Sequence, residues 1–153
     1  MRRLNKLVIL TVPLNFFILF GAGHGIGFMG LLEWFGPIEF LKGNTKFRLT
    51  GDYDERLFAS AMLAAVGQVF LLIGCVKKRA LSKLALIYAG IIVLFFSFVL
   101  LIVGFFNSSL NRFSFWSGTP FLVACTVLLI RTVQQHRRVI SKSRYGSQHE
   151  YLQ

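Results

Sequence analysis

Long uncharged runs separated by short charged connections set the pattern of this chain. Four stretches contain no Lys, Arg, Asp or Glu: Leu7–Leu32, Leu57–Val76, Leu84–Phe106 and Phe113–Ile130. A helix crossing a hydrocarbon layer about 30 Å thick needs roughly 20 apolar residues. The runs, at 26, 20, 23 and 18 residues, match that length. A helix in water keeps a polar stripe, and the third run offers only Tyr88 and Ser97 for one. The pattern therefore predicts an all-α integral membrane protein, a four-transmembrane-helix bundle with spans over about 7–32, 54–76, 82–106 and 113–135. These spans form a single domain over 1–135, followed by a basic, mobile tail over 136–153.

The connections refine the picture. Glu33 to Arg56 is the only substantial loop, about 24 residues, with an interfacial Trp34–Leu41 piece. Within it Phe47–Thr50 alternates like a short strand. Asp52 with Glu55 three residues on reads as a helix cap and acidic first turn, which starts the second helix near Tyr53. Lys77–Lys83 is a tight basic turn between antiparallel neighbours, and Asn107–Arg112 a short one. Pro120 has no N–H to donate and crowds the carbonyl of Trp116, so the fourth helix is expected to kink there. MRRLNK followed by an apolar run resembles a secretory signal, but the apolar sequence continues to Leu32, so a retained anchor is expected.

Charge then orients the bundle. Of 17 Lys and Arg, twelve lie at the N-terminus, in the 77–83 turn and after Ile130, where Glu150 is the only acid. The other connections balance five cations against Glu33, Glu39, Asp52, Asp54 and Glu55. The net +11 of the chain thus sits on one side, which the positive-inside rule makes cytoplasmic, with both termini in. Lys77, Lys78, Arg79, Lys83, Arg131, Arg137 and Arg138 are expected to touch anionic inner-leaflet lipid. Compact loops suit a bacterial inner membrane. Nucleic-acid binding lacks any module signature beside the basic residues.

Candidate chemistry is sparse. Gly21, Gly23, Gly25, Gly27 and Gly30 crowd one part of the first run, and on a helix they form Gly-x-x-x-Gly packing faces. Local unwinding that bares carbonyls to an ion is the sharper reading. Gly25-x-Gly27-x-x-Gly30 matches a dinucleotide fingerprint in form only, since no strand precedes it. Ala61, Ala64 and Ala65 make a small-residue face on the second helix, shared with Gln68. His24 is the one strongly ionisable side chain well inside a run, with Ser60 and Ser97 at similar depth to bond it. Asn15 and Gln68 are the remaining buried polar groups and are expected to bond each other. The acids of the large loop read as an ordinary solvated surface. Cys75 and Cys125 lie at different depths without metal or redox spacing, so no metal or other cofactor is expected.

In outline the order of spans resembles claudins and tetraspanins, but the loop cysteines of both families are missing, so no residue roles follow. Two functions remain. The first is a non-enzymatic protein that self-associates or serves as an accessory subunit of another membrane protein, on the strength of its glycine and alanine faces. The second is a small oligomeric channel or transporter using His24, Asn15, Gln68 and the glycine run. A haem bridged by two copies of His24 is a third, weaker reading.

Overall fold

The computed structural model describes residues 2–22, 25–43, 48–49, 53–103 and 109–150. Their order is α1 (Arg2–Phe16), β1 (Leu19–Ala22), β2 (Gly25–Phe28), α2 (Met29–Leu41), α3 (Tyr53–Val76), α4 (Ala80–Ile102) and α5 (Ser109–Glu150). Three helices among them are long and apolar enough to cross a membrane: Glu55–Val76, Ala80–Ile102 and Asn111–Ser141. These correspond to the second, third and fourth apolar runs. The helix begins at Tyr53 as expected, although Asp52 lies outside the described residues; of the short strand proposed at 47–50 only Arg48 and Leu49 are described, and they are not in a strand. Helix α5 passes through Pro120 and continues to Glu150 instead of fraying near 135. From Phe121 to Tyr145 it meets neither Gly nor Pro and is rich in good helix formers.

The first run is the exception. The stretch 7–32 is not one helix: α1 ends at Phe16, an antiparallel hairpin follows, and α2 starts at Met29. Each glycine held in a helix costs about 1 kcal/mol relative to alanine, and this segment has one at every second position from 21 to 27. That alternation has the period of a strand, not of a helix. The register uses it. Phe20 faces Gly27, Gly21 faces Ile26 and Ala22 faces Gly25, so larger side chains lie across glycines. The Phe20 ring covers Gly27 so closely that a Cβ there would sit 2.5 Å from it. The helical packing faces expected of Gly21, Gly25 and Gly27 therefore do not form, because these residues are on strands; Gly30 lies in the first turn of α2, against Phe16.

The N–H and C=O groups of the strands need hydrogen-bond partners of their own. Pairing between β1 and β2 supplies one edge. On the other edge α5 covers β1: the Ser117 hydroxyl accepts from Leu19 N–H at 3.0 Å and shares its proton between the carbonyls of Leu19 and Ser114. Met29 N–H donates to the Ile18 carbonyl at 2.9 Å, which closes the neck of the hairpin and sets α2 directly after α1.

Contacts along α3 give the path of this interrupted unit. Asn5 of α1 meets the α3–α4 turn through Lys83, whose Nζ donates to Asn5 Oδ1 and to the Cys75 carbonyl. Asn15, at the end of α1, lies near Gln68. Gly36 of α2 then packs on Phe58 and Met62, and Phe40 stacks on Phe58 near the start of α3. The α1–hairpin–α2 unit thus runs antiparallel to α3, with α1 against its C-terminal part and α2 against its N-terminal part.

Helices α3 and α4 come into backbone contact at Gly67 and Gly90, where a Cβ on Gly90 would lie 2.8 Å from the Gly67 carbonyl oxygen. Ala61 and Ala64 are fully buried in the same core, with Leu71, Ile87, Ile91 and Leu94. Gly118 of α5 rests on the Phe98 ring of α4, with Phe121, Cys125 and Leu128 buried below it. The polar logic is inverted relative to a soluble protein. Thr11, Asn15, Glu33, Ser60, Gln68 and Ser97 are buried, whereas Phe17, Ile92 and Val123 are each more than half exposed. Lipid is the solvent that favours this arrangement.

Gly90→Ala should therefore destabilise the protein by about 1–3 kcal/mol in detergent unfolding, because the new methyl meets the Gly67 carbonyl oxygen, which cannot swing aside, as well as the Leu71 side chain. Gly25→Ala, with open space around the added carbon, should stay within about 0.5 kcal/mol of the parent.

Candidate functional site

Breaking the first run brings a carboxyl inside. Glu33 sits one turn into α2, on the face turned toward α3, and only 7% of it is exposed. Its two oxygens have separate partners. Asn15 Nδ2 donates to Oε1 at 2.5 Å and Gln68 Nε2 donates to Oε2 at 2.7 Å. The donors come from different elements, the last turn of α1 and the middle of α3, so one carboxyl ties three helices together. Among the described residues the ion pairs are Lys42–Glu39 and Arg48–Glu55, both away from this site. The carboxyl is thus satisfied by neutral amides alone.

Glu33 also opens onto a groove of about 450 Å³ between α2 and α3. Phe16, Trp34, Val69 and Leu72 make its walls, and Gln68 and Ala65 lie beside the acid. Trp34, Val69 and Leu72 are all exposed, so the groove opens onto an apolar part of the surface. Such a site can hold a group that is cationic at one end and apolar over the rest. The carboxylate supplies charge and acceptor capacity, and the aromatic faces favour a cation laid against them.

The structure sorts the candidate residues. Asn15 and Gln68 are brought together as expected, but through Glu33 and not by a bond to each other. Ser60 and Ser97 bond one another: the Ser60 hydroxyl donates to the Ser97 carbonyl at 2.9 Å and the Ser97 hydroxyl to the Ser60 carbonyl at 2.8 Å. This reciprocal clasp fastens α3 to α4. Gly23 and His24 lie outside the described residues, and with them the bond expected between His24 and the serines. Lys83 was expected at the lipid headgroups, but it is buried and spends its ammonium on Asn5 and the end of α3. Lys77, Lys78, Arg79, Arg131, Arg137 and Arg138 remain exposed.

Glu33 is the residue that sequence reasoning missed. It follows directly on an uncharged run and so reads as the first residue of the solvated loop, which is wrong because β1 and β2 interrupt that run and α2 folds back along α3. The alternation of glycine with Ala22, His24, Ile26 and Phe28 was the available signal. Cys125 is buried and Cys75 half-buried, both as free thiols. No cluster of three or more His, Cys, Asp or Glu able to hold a metal occurs among the described residues. Comparison with protein families, curated proteins and solved structures finds no significant match to this chain.

Gln68→Leu removes one donor and leaves a buried carboxylate oxygen without a partner. It should cost about 1–3 kcal/mol in detergent unfolding. Glu33→Gln should cost less than Glu33→Ala, since a flip of the Asn15 or Gln68 amide restores complementary bonds.

Proposed function

We propose that this chain is a small, non-enzymatic membrane transporter in which Glu33 binds a proton and an apolar cation in turn. One observation carries the reading: a buried carboxyl, held only by neutral amides, at a break in a helical unit that runs the length of α3. Burying an ionised carboxylate without a counter-charge is costly. Either a proton or a bound cation relieves that cost. The two compete for the same oxygens, and such competition couples their movements. Ionisable groups at membrane depth default to such roles, and interrupted helices recur at the binding sites of transporters.

In this reading α1, the hairpin and α2 together make the first of four crossings, with both termini on the cytoplasmic side of a bacterial inner membrane. The asymmetry of Lys and Arg supports that orientation. Self-association or attachment to another membrane protein rested on two small-residue faces. Ala61 and Ala64 are occupied within the chain, and Gly21, Gly25 and Gly27 are on strands, which favours the transport reading. Aromatic walls and an acid define the substrate class as protonated amines or quaternary cations with apolar bodies.

Reconstituted into vesicles with an imposed proton gradient, the protein should drive movement of a fluorescent apolar cation such as ethidium. Glu33→Gln should lower that flux at least tenfold while the protein stays folded. Flux unaffected by Glu33→Gln, or none for any apolar cation, would contradict the assignment.

A further inference from the structure

A second groove lies at the other end of α1. It occupies about 580 Å³ between α1 and α5 and is lined from both helices. From α1 come Arg3, Lys6, Leu7 and Leu10, which share one helical face at spacings of three and four. From α5 come Val127, Arg131, Gln134 and Arg138, again one face. The two stripes meet so that charge and hydrophobicity separate along the groove. Arg3, Lys6, Arg131 and Arg138 form a rim, while Leu7, Leu10 and Val127 continue from it as an apolar track. On each helix the track begins within about 6 Å of the nearest cation, at 1.5 Å per residue.

No acid balances this rim among the described side chains. Glu39 and Glu55 pair with Lys42 and Arg48, and Glu33 is bound at the hairpin break. Arg131 Nη1 donates to the side-chain amide oxygen Oε1 of Gln134 in a long bond of 3.4 Å. Four cations from two helices, held over an apolar track, match an amphiphile with an anionic head.

We infer that this groove is a binding site for one anionic phospholipid. Its phosphate sits among Arg3, Lys6, Arg131 and Arg138, and an acyl chain lies along Leu7, Leu10 and Val127. Diffuse attraction between a basic surface and a charged leaflet needs neither the convergence of two helices nor the apolar track. A soluble phosphate would use the rim and ignore the track. The site is separate from Glu33, so it stands whether or not that carboxyl moves cations.

The test is native mass spectrometry of the full chain in zwitterionic detergent, titrated with phosphatidylglycerol, phosphatidylcholine or inorganic phosphate. Phosphatidylglycerol should be retained at one copy per chain with at least tenfold preference over phosphatidylcholine. The double variant Arg3→Gln/Arg131→Gln should lose that preference. Lys77→Gln/Lys78→Gln, which removes two exposed cations outside the groove, should keep it. Leu10→Gln changes a side chain that is 54% exposed and so leaves the core intact. It should weaken phosphatidylglycerol binding several-fold. Equal retention of both lipids, or equal losses from the two double variants, would overturn the site. Displacement of the lipid by millimolar inorganic phosphate would assign the rim to soluble anions and overturn it too.

Discussion

The carboxyl of Glu33, held between the amides of Asn15 and Gln68, is the interaction from which the arrangement of the first 41 residues follows. It joins the end of α1, the start of α2 and the middle of α3, and each partner would be a costly buried polar group without the others. The hairpin is the complement of that tie. By pairing Leu19–Ala22 with Gly25–Phe28 it lets α1 stop and α2 start at nearly the same level, so that Asn15 and Glu33 meet although eighteen positions separate them. Ser117 completes the scheme by covering the free edge of β1.

Around this tie the bundle uses the economy of small residues. Gly67 and Gly90 let α3 and α4 touch at backbone distance, and Ser60 and Ser97 exchange bonds across the same interface. Gln68 holds Glu33 from the same helix, one position after Gly67. At the basic end Lys83 anchors α1 to the α3–α4 turn, which keeps the rim of Arg3 and Lys6 beside α5. The two candidate sites thus share α1 but sit near its opposite ends.

Much of this was legible in the residues. The apolar runs around Ala64, Ile91 and Leu128 announce α3, α4 and α5 because an all-apolar surround has one solution in lipid. Asn15 and Gln68 stood out as polar residues within apolar runs, and both belong to the site. The first run misled because hydrophobicity reports burial in lipid but not backbone conformation. A run of 26 uncharged residues reads as a long helix until the glycine at every second position is weighed as strand periodicity. Glu33 was then assigned to water because it is the first charge after that run. Its burial depends on a non-local contact, with Gln68 thirty-five positions on, and nothing in local sequence shows such a contact.

A double-mutant cycle between Glu33→Ala and Gln68→Ala, read by unfolding in detergent, tests the embedded carboxyl most directly. A coupling energy of at least about 1 kcal/mol is expected for groups that share a buried hydrogen bond. Additivity within about 0.5 kcal/mol, as for residues with no shared partner, would place Glu33 in the outer loop and contradict the account.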